Sequence, residues 1–220
     1  MMIFLRRKTM RISSEKPQFE KAIVAANELL VNCESIVGFP VRMNPLSKEL
    51  FGTSVNSFSK FRDSVDLEAF GSKSAFIAEQ KGKFIVFFND SESKSRQRFS
   101  IAHEIGHPVL EHRFEWQSEE RYGEYEIETN FFAAQLLMPD QIIKELESRG
   151  VTMDTQNIMN IFGVSKEAAN RKLDTLRRYH YNWRSSAARA LDSQIVYKYR
   201  EFLDSVAPAN STLFVQPALF

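Results

Sequence analysis

The stretch His103-Glu104-Ile105-Gly106-His107 constrains this chain more than any other. On a helix, side chains four residues apart share a face. Two imidazoles so placed can reach one ion at about 2.0–2.1 Å. Glu104 then lies beside the ion rather than on it. From there its carboxylate can take a proton from metal-bound water and pass it to a leaving amine. The frame is a helix expected from about Arg96 to His112, with Phe99, Ala102, Gly106, Val109 and Leu110 as its apolar stripe. Pro108 would clash with the carbonyl of Glu104, so the helix is expected to kink or end just past His107.

Two histidines do not complete a zinc site, which asks for a third protein ligand. A single-helix extension would need glycine and histidine at positions held here by Leu110 and Arg113, and it fails. His112 lies at the wrong helical angle unless the helix breaks. The remaining route is a glutamate from a second helix, expected at about Tyr125 to Leu137, before Pro139. Glu124, Glu126 and Glu128 all compete. Glu126 and Glu128 point about half a turn apart, so both cannot serve one ion. Asn130, four residues after Glu126, can hold a ligand histidine by a hydrogen bond. Tyr122, Tyr125 and His112 are candidates for stabilising an oxyanion.

Around this pair the pattern is that of an α+β chain. Pro17 suits the first turn of a helix carrying Phe19, Ile23, Ala26, Leu29 and Leu30. Ile36 to Met43 suggests a short edge strand. Residues 44–72 carry scattered apolar positions and many serines, and give no clear pattern. Ser74 to Glu79 and Lys83 to Phe88 flank Gln80-Lys81-Gly82 and predict a hairpin, its second strand covered on both faces. Asp140 to Arg149 reads as an amphipathic helix ended by Gly150. Residues 154–179 read as helix–turn–helix, with Gly163-Val164 at the turn and Ser165 capping the second helix. A helix is expected from about Ser186 to Val206. Residues 1–16 and the stretch after Pro208 are expected to be loosely ordered.

The chain of 220 residues has a net charge of +1, so no overall pull toward nucleic acid or anionic membrane follows. Its single cysteine, Cys33, excludes an internal disulfide and is expected to be a small buried side chain. No apolar run approaches a membrane span, and the N-terminal apolar stretch is too short for a signal-peptide core. A cytoplasmic location is expected.

Arg96 to His107, followed by Glu126 to Pro139 with its Phe-Ala and Leu-Met-Pro ending, resembles the ImmA/IrrE metallopeptidases. Phe162-Gly163-Val164-Ser165, with Leu173 downstream, resembles that family's helix–turn–helix-like segment. The likeness covers about residues 75–180. It implies a zincin-like fold: a small mixed β-sheet packed on an active-site helix pair, then a helix–turn–helix-like segment. It implies zinc held by His103, His107 and Glu126, with Glu104 catalytic. It also implies a protein substrate, a repressor or antitoxin-like DNA-binding regulator acting in trans. Thr129, where alanine is usual, and Pro108 depart from the pattern without removing a ligand.

Three regions are expected: a metallopeptidase domain at 1–149, the helix–turn–helix-like segment at 150–180, and a C-terminal helix and tail at 181–220. Two further readings differ in class. In one, segment 154–179 binds DNA through Lys166, Arg171, Lys172, Arg177 and Arg178. In the other, the protein is a zinc-binding sensor or toxin with little proteolytic activity. Arg96 and Arg98 are candidates for touching substrate. Phe214, Val215, Leu219 and Phe220 are candidates for filling a groove.

Overall fold

A computed structural model describes residues 16–61, 73–112, 119–178 and 184–208. The expectations for residues 1–15, for the tail with Phe214, Val215, Leu219 and Phe220, and for Arg113 lie outside them. Helices α1 (Phe19–Asn32) and α2 (Met43–Phe51) precede β1 (Asn56–Ser57) and the short α3 (Phe58–Phe61). The hairpin β2 (Ala75–Gln80) and β3 (Lys83–Phe88) leads into α4 (Lys94–Val109) and α5 (Glu119–Leu137). Then come α6 (Asp140–Ser148), α7 (Thr155–Phe162), α8 (Lys166–Arg178), α9 (Ser186–Arg189), α10 (Asp192–Lys198) and α11 (Arg200–Val206).

The sheet is small and mixed, in the order β1-β3-β2. β1 runs parallel to β3, and β2 antiparallel to it. The hairpin turns on Lys81 and Gly82, both at positive φ, which matches the right-handed twist of the flanking strands. The α+β fold class therefore stands as expected. The full cover expected for β3 holds only in part: Val86 is fully buried, while its neighbours are half-buried. Val86, Ile77 and Phe88 pack toward the helices, and the cross-strand partners Phe76 and Phe87 stack with ring centroids 4.9 Å apart.

Outside α4 and α5, three elements differ from expectation. Ile36 to Met43 forms no strand. Ile36 and Val41 reach the core from a loop, and Met43 already opens α2. Pro17 sits outside the first helical turn, because Gln18 is the N-cap and its amide bonds to Glu128 instead. The helix expected over Ser186 to Val206 is three short ones. Ile195, Tyr199 and Leu203 still form one buried face at i, i+4, i+8, and the Tyr199 hydroxyl donates to the Leu30 carbonyl at 2.9 Å.

A buried polar network ties α8 to the rest. Lys172 forms an ion pair with Asp140 and donates to Gln135 at 3.1 Å. Gln135 in turn donates to Asn27 on α1 at 2.9 Å. Ser165 and Asp154 cap α8 and α7 as their residue types dictate.

Cys33 is buried, and burial with the nearby Glu49 carboxylate pushes its thiol up to about 11. The thiolate is the reactive form. Native protein at pH 8 should therefore leave a thiol-reactive dye unchanged, whereas denatured protein should titrate one thiol per chain. Rapid labelling of the native state would contradict the buried placement.

Candidate metal centre

Ser93 caps α4 by accepting from the Arg96 amide, so the helix starts two residues earlier than the apolar pattern suggests. Pro108 stays in the last turn and the helix ends at Val109. Glu111 takes a positive φ, the chain reverses, and His112 folds back against His107. The helix expected to reach His112 is thus shorter.

α5 starts at Glu119, earlier than expected, and crosses α4 closely. A Cβ built on Gly106 would lie 2.9 Å from Phe132 Cδ1 and 3.2 Å from Thr129 Cγ2, so only glycine permits this approach. The crossing brings Glu126 to the two histidines. His103 Nε2 lies 3.2 Å from Glu126 Oε2, and His107 Nε2 lies 3.5 Å from Glu126 Oε1. One donor atom from each residue falls within 4.8 Å of the others. The His103 imidazole beside it holds the Glu126 carboxyl well below the usual carboxylate range.

Of the competing glutamates, neither joins this cluster. Glu124 accepts from Arg121 at 2.6 Å. Glu128 points behind His107, as the half-turn argument requires. Its Oε2 lies 2.9 Å from His112 Nε2, and its Oε1 accepts from the Gln18 amide at 2.9 Å. His107 Nδ1 lies 3.1 Å from His112 Nδ1. The chain of contacts Glu128–His112–His107 was not foreseen. It depends on the reversal at Glu111, for which the residue types carry no signal. Burial first, with the His107 and Lys21 charges adding, pushes the His112 imidazole down to about 4, against the pull of Glu128. Tyr125 stacks on the His112 ring at 4.0 Å. His112 and Tyr125 are therefore buried behind the cluster rather than exposed in the cleft, which corrects their candidacy as oxyanion groups.

Asn130 does what its spacing suggests: its Oδ1 lies 3.1 Å from His103 Nδ1. Thr129 is fully buried and donates to the carbonyls of Tyr125 and Glu126, with its hydroxyl 3.2 Å from His103 Nε2. Glu104 stands outside the three-residue cluster. Burial, with the Glu126 charge, raises its carboxyl to about 7, although His103 and the Ile77 amide oppose this. The cleft over these groups is lined by Lys73 to Ile77, Arg96 and Tyr122. Arg96 thus faces the cleft, while Arg98 turns away and donates to the Gly163 carbonyl.

Among the basic residues of segment 154–179, Lys172 is buried in its ion pair, so it is withdrawn from the set that could face DNA. Arg171 pairs with Glu167 at 2.7 Å, and Arg177 with Asp174 at 3.7 Å.

A helix bearing two histidines and, outside their cluster, a further glutamate, crossed by a second helix that offers a carboxylate, is the frame of a zincin-like metallopeptidase. The chain belongs to the Peptidase_M78 family: the IrrE N-terminal-like domain matches residues 64–174. It is also similar to an "uncharacterized immunity region protein 2" of Bacillus phage phi105, 32% identical over 99 residues. That match covers 43% of this chain and 61% of the phage protein, so the chain spans less than two thirds of that relative. Among the described residues, no helix is long and apolar enough to cross a membrane.

Proposed function

We propose that this chain is a zinc-dependent endopeptidase acting in the cytoplasm on a protein substrate, a DNA-binding regulator of the repressor or antitoxin-like kind. In this reading His103, His107 and Glu126 hold the metal, and Glu104 is the general base and acid. The observation that carries it is the convergence of those three side chains from two helices, with a second carboxyl, that of Glu104, beside them.

The donor set suits zinc: two neutral imidazoles and a carboxylate. Ligands of a tetrahedral ion at 2.0–2.2 Å stand roughly 3.4 Å apart. The separations of 3.2 and 3.5 Å bracket that value. When bound, zinc polarises a scissile carbonyl and acidifies water at neutral pH. Glu104 takes the proton of the attacking water and delivers it to the departing amine. Tyr122, half exposed at the cleft, is the remaining candidate from the sequence for donating to the carbonyl oxygen as it gains charge.

Several features favour a polypeptide substrate. β2 is an edge of the described sheet, and its residues Ala75 to Ile77 line the cleft, where an extended backbone can add as a further strand. A neighbouring cavity of about 290 Å³ shares Arg96 and Phe99 with the cleft and is walled by Phe131, Ala134, Met138 and Leu176. Its size and lining suit a large apolar side chain. The regulator as substrate class is supported by the immunity-region name of the phage relative and by the family. The burial of Lys172 against Asp140 favours α7 and α8 as a packed helical hairpin over a DNA-reading one.

Purified protein should carry one zinc per chain by mass spectrometry of metals, and Glu126→Ala should lose it. Co-expression with candidate regulators should yield discrete fragments. A wild-type protein that takes up no zinc, or that leaves every such regulator intact while metal-loaded, would sink the hydrolytic reading.

A further inference from the structure

We propose that Glu128 and His112 fix the tautomer of His107, holding its proton on Nδ1 and leaving Nε2 bare toward Glu126. This deepens the metal-site reading and rests on it for its purpose. The argument follows the hydrogens. An ionised carboxylate only accepts, so the 2.9 Å contact between Glu128 Oε2 and His112 Nε2 needs the proton on that nitrogen. A neutral His112 protonated at Nε2 has a bare Nδ1. The 3.1 Å contact between His112 Nδ1 and His107 Nδ1 must then be filled by a proton on His107 Nδ1. His107 Nε2 is left with its lone pair.

That nitrogen stands 3.5 Å from Glu126 Oε1. A lone pair facing a carboxylate is repulsive, and a cation between them relieves it. The outer end of the relay is itself anchored, since Glu128 Oε1 accepts from the Gln18 amide and the His112 ring is stacked on Tyr125. Both side chains of the Glu128–His112 pair are 2% exposed, so water does not compete for these contacts. The other histidine is held differently, by the neutral Asn130 amide. Glu128 and His112 are thus positioning residues, acting on the metal through His107.

The test is nitrogen-15 NMR of the histidines in metal-free protein, joined to zinc titration against a chromophoric chelator. Wild type should show His107 protonated at Nδ1 and His112 at Nε2. Glu128→Leu removes the acceptor and should weaken zinc binding by about 10–100-fold while disturbing the His107 tautomer. Glu128→Gln keeps the shape but offers one acceptor oxygen to the two donors, the Gln18 amide and His112 Nε2–H, so it should restore both only in part. Should Glu128→Leu fail to fold, the wild-type spectra and the Gln variant still decide. His107 protonated at Nε2, His112 carrying both protons, or a Leu variant with unchanged zinc affinity would overturn the proposal. A wild type that shows the stated tautomers but takes up no zinc would remove the metal reading and leave the relay standing.

Discussion

Glu104→Gln should cut peptide-bond cleavage by about 10²–10⁴-fold, the usual worth of a positioned general acid–base group, and leave the zinc content unchanged. The glutamine has the same shape and can still accept from the Ile77 amide that bonds the native carboxylate. It cannot take a proton at neutral pH. Because Glu104 lies outside the His103, His107 and Glu126 cluster, metal retention is expected in the same sample. The loss corresponds to roughly 3–5 kcal/mol of barrier, too large to come from a disturbed surface. Rate and metal content measured together separate the outcomes. Near-native turnover with zinc bound would remove Glu104 from the mechanism. A joint loss of zinc would mean that it supports the ligands instead.

Phe132→Ala should produce the largest loss of stability, about 3–5 kcal/mol. The ring is fully buried at the crossing of α4 and α5, against the space that Gly106 leaves open. For a chain of this size the melting temperature should fall by roughly 6–20 °C. Gly106→Ala alone should cost about 1–3 kcal/mol by overpacking, offset in part by the better helix propensity of alanine. Combined, the two should cost less than their sum, because the new methyl enters the volume vacated by the ring. Thermal or urea unfolding of the four proteins closes the cycle. Strict additivity would show that Gly106 and Phe132 do not share one contact. The cycle also bears on function, since the same crossing sets the distance from Glu126 to the histidines.

The helix positions in this site were legible because spacing is a local property. A helix converts His103 and His107 into neighbours, and Glu126 and Asn130 likewise, before any tertiary contact forms. The hairpin was legible for the same reason, through Lys81-Gly82 and the apolar strand beside it. Illegible were the places where the chain changes direction for the benefit of a distant partner. The reversal at Glu111 carries His112 back onto His107, and no periodicity announces a single residue at positive φ. Ile36 and Val41 look strand-like but reach the core from a loop, because the strand positions beside β3 are taken by β1 and β2. Lys172 has the composition of a DNA-facing cation and is nevertheless buried against Asp140.

By itself the sequence determined the two helix faces, the hairpin and the short menu of carboxylates that could meet the histidines. The resemblance pointed to Glu126, and which of Glu124, Glu126 and Glu128 stands beside the histidines is visible only in the tertiary structure. That choice depends on how closely two helices approach and at what rotation, which the smallness of Gly106 and the fit of Phe132 against it control. The tertiary structure also decided that the losing glutamate, Glu128, stands behind His107 and against His112 rather than in solvent. Residues two apart on a helix point to different sides, and what waits on each side is set by packing.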